Sequence, residues 1–575
     1  MCPLRRLVPR WLCLATVLAC FLAFSSLLRA QTPLVERLSP DTVFCASWRG
    51  TAYLASAEQK NHVLQLLHDP AFAPAWLAVA TAFQQRTQKT GNPAAAMAFA
   101  DITSLLENPL VFGAVSVPAA AGSSGPDTLS RFGFFVVYDA TGKTSLIDKW
   151  KASVPGRDKA HSQITTYDFG GTSVEVRAAG ASVTYSAQVS HYFVTSNQKR
   201  VLEGLITRFG TANGKAASLG QLPAYRDLQK FIGPDEALEW YARIPDPDQW
   251  TLPPPGGKSA EQFARSIHLE KIHAAGAGVS FAGEAMHVRG AILGDTSPGG
   301  VFDLAGTSTT AFQTEAVVNG SSTFSMSRFN LAALYALIRG AVVGTLTPQQ
   351  AGNVAVMEAV GQSYLGMPIG DALNLMTGEI ASVSAYSADG SAQQLFAATI
   401  QQPESVLRIM RAVAGSMIVA EDSSGATTFL DIAYPYKDPK TGTQRRKFYY
   451  LAVTPQLLLG APRKAMLRDT VQRLASYRDS RAPAGLLDDS DFSQMRSLLP
   501  PKLSGLSGSD LTQIPWDKLM SQLEDQIVQG SKQKNGQPAP DLSWLKSDAI
   551  SRHLHIALSG WWKDSGGVYF DSYLQ

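Results

Sequence analysis

Several side-chain patterns in the sequence approach known chemistry, and each lacks a part that the chemistry requires. Gly142-Lys143-Thr144 is the tail of a phosphate-binding loop. The full loop needs a glycine at position 137 so that backbone N–H groups can wrap the phosphate, and Val137 stands there in a strand-like run. These residues read as turn chemistry. His268, Glu270 and His273 are close in sequence, but a zinc helix needs histidines at i and i+4 with a glutamate between them. Their spacing puts them on different helix faces. His553 and His555 alternate along what reads as a strand and offer half a site with no evident third ligand. No metal site and no cofactor are expected.

Nucleophilic catalysis fares no better. The pentapeptide Gly-x-Ser-x-Gly does not occur, and Ser507-Gly508-Ser509-Asp510 reads as a polar loop. The acid pairs Asp488-Asp489 and Asp246/Asp248 lie in Pro/Ser-rich tracts, where cap and turn roles are normal. Cys45 stands in a strand-like run, Thr42 to Trp48, and reads as a buried apolar residue. No catalytic residue is assigned. Aromatics give a different lead: Trp561, Trp562 and Tyr569 cluster near the C-terminus, and Trp240, Tyr241 and Trp250 lie in the corresponding tract upstream. Alternation directs some inward and some outward, so they form either core or an aromatic-lined ligand groove.

The elements that must position these residues show internal similarity. His191 to Thr195 followed by a helix from Arg200 resembles Tyr449 to Thr454 followed by a helix from Arg463. Asp101 to Val117 matches Asp371 to Ala385, each a short helix entering a strand. Phe134 to Tyr138 with a helix from Ser145 matches Phe396 to Ile400 with a helix from Glu404. Tyr225, Leu228, Phe231 and Ile232 repeat as Phe492, Met495, Leu498 and Leu499, and Phe263 to Leu293 resembles Trp544 to Tyr573. Correspondences in one order imply two tandem copies of one unit, residues 31–300 and 301–575. Gly-rich turns at Gly170-Gly171 and at Ser387 to Gly390 signal hairpins, hence antiparallel pairing. The expected fold class is α+β, with an antiparallel sheet backed by helices in each copy. Pro253 to Gly257 and Gly530 to Pro540 read as surface loops at equivalent points.

Composition bounds the function. The chain has 575 residues, 45% hydrophobic and 17% charged, which is globular and long enough for more than one core. Residues 1–30 carry Arg5, Arg6 and Arg10 ahead of the apolar run Trp11 to Leu28, with Ala30 before a polar start. This reads as a signal peptide, or an anchor if it is retained. Its arginines account for the formal net charge of +3, so the remainder is close to neutral and no nucleic-acid partner is expected. Membrane contact is expected only through a retained N-terminal anchor. Cys45 is alone beyond residue 30, so no internal disulfide forms there.

Leu38-Ser39-Pro40-Asp41-Thr42-Val43-Phe44, with Trp48, Asp69-Pro70-Ala71-Phe72 and Tyr192-Phe193-Val194-Thr195, resembles the exported bacterial proteins of the domain of unknown function 3352 family. The resemblance implies a periplasmic or envelope location and brings no catalytic residue. The expectation is an exported, non-catalytic protein that binds an unidentified ligand or envelope protein. The alternatives are a periplasmic hydrolase using dispersed carboxylates or histidines, and an assembly factor with an extended apolar patch.

Overall fold

The computed structural model describes residues 33–55, 57–73, 99–117, 132–153, 162–179, 182–210, 217–244, 264–318, 321–376, 378–386, 392–437, 442–477, 486–519, 521 and 549–575. Residues 1–30, Asp246, Asp248, Trp250 and the tracts Ser387 to Gly390, Pro253 to Gly257 and Gly530 to Pro540 lie outside them.

In the first half the strands are β1 Thr42–Trp48, β2 Leu110–Ser116, β3 Phe132–Asp139, β4 Ser162–Phe169, β5 Thr172–Ala179, β6 Ser182–Val189, β7 Tyr192–Ser196, β8 Leu238–Ala242, β9 Ile272–Ser280 and β10 Met286–Gly294. The second half has β11 Thr323–Phe329, β12 Gly378–Tyr386, β13 Ala392–Thr399, β14 Ile418–Ser424, β15 Thr427–Lys437, β16 Gln444–Val453, β17 Leu457–Ala461, β18 Gly505–Asp510, β19 Ile556–Asp564 and β20 Gly567–Leu574. Local chemistry sets the turns: Gly170 and Gly171 take φ of 61° and 80° between β4 and β5, the left-handed pair that a two-residue hairpin needs.

All strands among the described residues join one antiparallel sheet of 20. The first half is ordered β4-β5-β6-β7-β3-β2-β1-β8-β9-β10. The second is ordered β14-β15-β16-β17-β13-β12-β11-β18-β19-β20. The halves meet where β10 pairs with β20, from Met286↔Leu574 to Leu293↔Gly567. Counted inward from either outer edge, the order is the same.

One face of the sheet is packed along its length. Helices Lys199–Gly210 and Pro223–Ile232 drive Leu202, Leu205, Leu228 and Ile232 onto Val137, Val194 and Tyr241. Helices Lys464–Tyr477 and Ser490–Arg496 do the same with Leu467, Phe492 and Met495 over Met326, Leu459 and Leu558. Gly276 marks how close this contact is, because an added Cβ would meet Leu228 Cδ2 at 2.4 Å and the Trp240 carbonyl at 2.5 Å. The opposite face is covered near its two ends. Ile147 of helix Thr144–Ser153 packs on Tyr138 and Phe193, and Val406 and Leu407 of helix Pro403–Ala414 pack on Leu430, Val453 and Leu458.

This architecture is α+β, with helices on a large antiparallel sheet. Four local readings need correction. The strand leading into helix Lys464–Tyr477 is β17, whereas Tyr449 to Val453 belongs to β16, the counterpart of β6 by position. Thr454 holds the intervening turn by accepting from the Leu457 N–H at 2.9 Å, so an apparent strand end is a hairpin. His553 closes the short helix Ala549–His553 and His555 precedes β19, so the two do not alternate along a strand. His268 and His273 are not on one helix; His268 takes a left-handed φ of 54° before the turn Leu269–Lys271. Ser507 to Asp510 is not a loop but most of β18, near the middle of the sheet.

Candidate functional site

Between its covered ends the second sheet face carries side chains in register across many strands, and their chemistry changes at the β10–β20 seam. On the second-half side one row runs Ser572, Ser559, Ser507, Ser325, Ser382, each directly opposite the next on the neighbouring strand. The adjacent row runs Leu574, Ala557, Ser509, Thr323, Ser384. Hydroxyls pair across strands, with Ser559 Oγ 2.6 Å from Ser572 Oγ and Thr323 Oγ1 2.7 Å from Ser509 Oγ. Period-two alternation explains the pattern: Leu506, Phe324, Met326 and Leu558 point into the packed core, so their neighbours point out.

These rows floor a trough of about 390 Å³, rimmed by Met286 and Val288 of β10 and by Ala557 and Leu574. That size suits a small ligand or one segment of a longer one. No carboxylate, ammonium, guanidinium or imidazole lines it; Tyr573 is its one ionisable lining residue.

On the first-half side the corresponding rows are apolar. One runs Ala277, Trp240, Ala46, Phe112, Val136, and the next runs Ala275, Ala242, Phe44, Ala114, Phe134. Several of these remain open: Phe112 is 47% exposed, Phe134 46%, Leu238 40% and Trp240 36%. Phe44 and Phe112 contact at 5.8 Å between ring centroids. The open face therefore carries an aromatic platform in the first half and a hydroxyl-lined trough in the second, with Ala277, Val279, Val288 and Gly290 of β9 and β10 between them.

The residues best suited to acid–base work lie on the packed face behind the same seam. His287 Nε2 meets Asp571 Oδ1, Arg289 Nε stands 3.7 Å from Asp571 Oδ2, and the His287 ring stacks on Tyr573 at 4.2 Å. Asp571 is buried. Burial pushes the carboxyl groups of Glu236 and Glu239 up to about 7. Glu239 accepts from the Tyr225 hydroxyl at 3.0 Å and from Gln229, while Glu236 Oε2 has no hydrogen-bond partner among the described residues.

The aromatic residues singled out from sequence do not form one groove. Tyr241 is fully buried under helix Pro223–Ile232, 5.4 Å from the Tyr225 ring. Trp562 stacks on Tyr569 at 5.7 Å on the same packed face, with Phe231 edge-on to both. Trp240 and Trp561 face the other way, Trp240 on the open platform and Trp561 across from Phe570. Neighbours in sequence along a strand must part in this manner. His553 Nε2 donates to the Asp69 carboxylate, His62 reaches the His553 carbonyl, and no cluster of three metal-binding side chains occurs among the described residues.

The serine rows were the feature that sequence reasoning missed. Their signal is alternation itself, Leu506-Ser507-Gly508-Ser509 and Phe324-Ser325-Met326-Ser327, with one polar and one inward residue per pair. Gly142 takes a turn φ of 71°, and Lys143 is occupied by Ser104 and Glu107, as the turn reading requires. Asp489 caps helix Ser490–Arg496 by accepting from the Asp491 and Phe492 N–H groups. Comparison with family models, curated proteins and solved structures returns no match for this chain.

Proposed function

We propose that this is an exported, non-catalytic binding protein in which two tandem copies of one α+β unit, residues 31–300 and 301–575, form a ligand face at their seam. The strand order common to both halves supports the duplication, together with the sequence correspondences. Export rests on residues 1–30, and kinship with the domain of unknown function 3352 family rests on the Leu38 to Phe44 motif and its companions.

The single observation that carries the binding reading is an uncharged trough in which hydroxyl rows meet the apolar Met286 and Val288 across β10 and β20. Hydroxyls both donate and accept, aromatic faces hold apolar surface, and no fixed charge is present to compensate an ionic ligand for lost hydration. The matching ligand is a small neutral amphiphile: an apolar portion on Met286, Val288 and Leu574, a hydroxylated or carbonyl-bearing portion on Ser507 and Ser559. A hydrolase is disfavoured because none of the trough-lining serines has a base among the lining residues, while His287, Asp571 and Glu236 lie on the packed face.

Octyl glucoside, titrated below its micellar concentration and followed by intrinsic fluorescence and calorimetry, tests the reading. Saturable binding is expected, with glucose and octanoate each weaker. Ser507→Asp or Met286→Asp is expected to weaken it by about tenfold or more. Failure of neutral amphiphiles to bind, or turnover of a substrate that His287→Ala abolishes, refutes it.

A further inference from the structure

A different part of the second half carries a second surface. Strands β15 and β16 run past their neighbours: β14 pairs with β15 only as far as Ile418↔Ile432, and β17 pairs with β16 only from Tyr450 to Val453. Ala433–Lys437 and Gln444–Tyr449 thus form a two-stranded ribbon bonded to itself. Pro435 to Lys437 and Gln444 to Phe448 are exposed. The ribbon carries Lys437, Arg445, Arg446 and Lys447, interleaved with Tyr434, Tyr436 and Phe448, and it has no carboxylate among its described residues. Tyr434 lies opposite Lys447 and Tyr436 opposite Arg445. Its first-half counterpart has no such extension, because β4 flanks β5 to its end at Ser162↔Ala179 and the one cation there, Arg177, is paired with Glu175. The ribbon is therefore not a requirement of the fold.

Exposed apolar side chains adjoin it. Val413 is 63% exposed at the end of helix Pro403–Ala414, and Val419 is exposed at the start of β14, beside the ribbon base. Against that helix packs helix Pro348–Leu365, which shows solvent a stripe at i, i+4, i+8: Val356, Val360 and Tyr364, with Met357 at 74%. Its one charge, Glu358, is consumed by Arg339 at 2.6 Å and by Tyr335.

We propose that this pole is a peripheral contact for the surface of a bilayer containing anionic phospholipid. Cations on flexible stems meet phosphate headgroups, tyrosine and phenylalanine take the headgroup level, and the valine–methionine stripe rests at the acyl boundary. Nucleic acid would use the cations but leaves the apolar stripe without a role, so lipid is the partner that accounts for both. The contact is independent of the amphiphile trough.

Vesicle co-sedimentation of the full chain tests it, with the N-terminal apolar segment common to every arm. Binding to phosphatidylcholine vesicles with 30% phosphatidylglycerol is expected to exceed binding to pure phosphatidylcholine by about tenfold, and to fall in 0.5 M salt. K437E/R446E/K447E, and its alanine equivalent, are expected to erase that increment with an unchanged circular dichroism spectrum. V356S/M357S/V360S is expected to weaken binding while keeping the preference for the anionic lipid. An equal increment in the charge-reversed variant overturns the proposal. So does a loss confined to binding of a single-stranded oligonucleotide, with vesicle binding intact.

Discussion

The open face of the first half and that of the second are built on strands in the same order, yet one is aromatic and the other is hydroxyl. Trp240 and Phe112 occupy one side of the seam; Ser507 and Ser559 occupy the other. The opposite faces of the same strands are alike in character: Tyr241 and Cys45 are buried in the first core, as Leu506 and Met326 are in the second. The difference teaches that helix packing dictates inward residues tightly, while outward ones answer only to what the face meets. Burial of Leu228 or Met326 stabilises by removing apolar area from water, whereas a half-exposed Phe112 gains only part of that.

The comparison breaks if inward positions prove tolerant. Leu228→Ala, at a fully buried site, is expected to cost about 2–5 kcal/mol in chemical denaturation. Gly276→Ala is expected to cost about 1–3 kcal/mol, since the Trp240 carbonyl cannot move aside. By contrast Ser507→Ala and Ser559→Ala should each stay within about 0.5 kcal/mol; a loss above about 2 kcal/mol would show the serine rows to be structural.

Acidity sharpens it next. Glu236 and Glu239 are pushed up to about 7 by burial, so the folded chain binds more protons than the unfolded chain between the ordinary carboxylate range and that value. Their contribution is present below about pH 4.5 and declines as pH rises through about 7. The double variant Glu236→Gln, Glu239→Gln is expected to flatten the fall in unfolding free energy between pH 5 and pH 8, by on the order of 1–2 kcal/mol. A parallel pH profile in wild type and variant refutes this.

The smallest effect concerns Cys45, whose thiol burial pushes well above its ordinary value. A maleimide should label it only after unfolding, as one extra thiol by mass; prompt labelling of the native chain would mean that β1 opens.

Much of the architecture was legible where side-chain patterns are local. The Gly170-Gly171 hairpin, the β1 run from Thr42 to Trp48 and the inward spacing of Tyr225, Leu228 and Ile232 all follow from turn geometry and helical period. Legibility failed where polarity was taken for solvent. Ser507 to Asp510 looked like a loop because its outward residues are hydroxylic, and only the inward Leu506 and Gly508 reveal a strand pressed against Phe492. Tyr449 to Thr454 was paired with the wrong strand because a three-residue turn, Thr454 to Gln456, resembles a strand terminus. The site itself was illegible, since Ser325, Ser507, Ser559 and Ser572 are brought into one row by register across distant segments.

The pairing of β10 with β20 has a consequence for biosynthesis. The closing strand follows its partner in the chain by some 280 residues, as Gly290↔Phe570 shows. Until β20 is made, Met286 to Gly294 presents a bare hydrogen-bonding edge to whatever is nearby. A premature stop ahead of β20 would leave that edge and β19 both unmatched, making the truncated products prone to aggregate rather than merely less active.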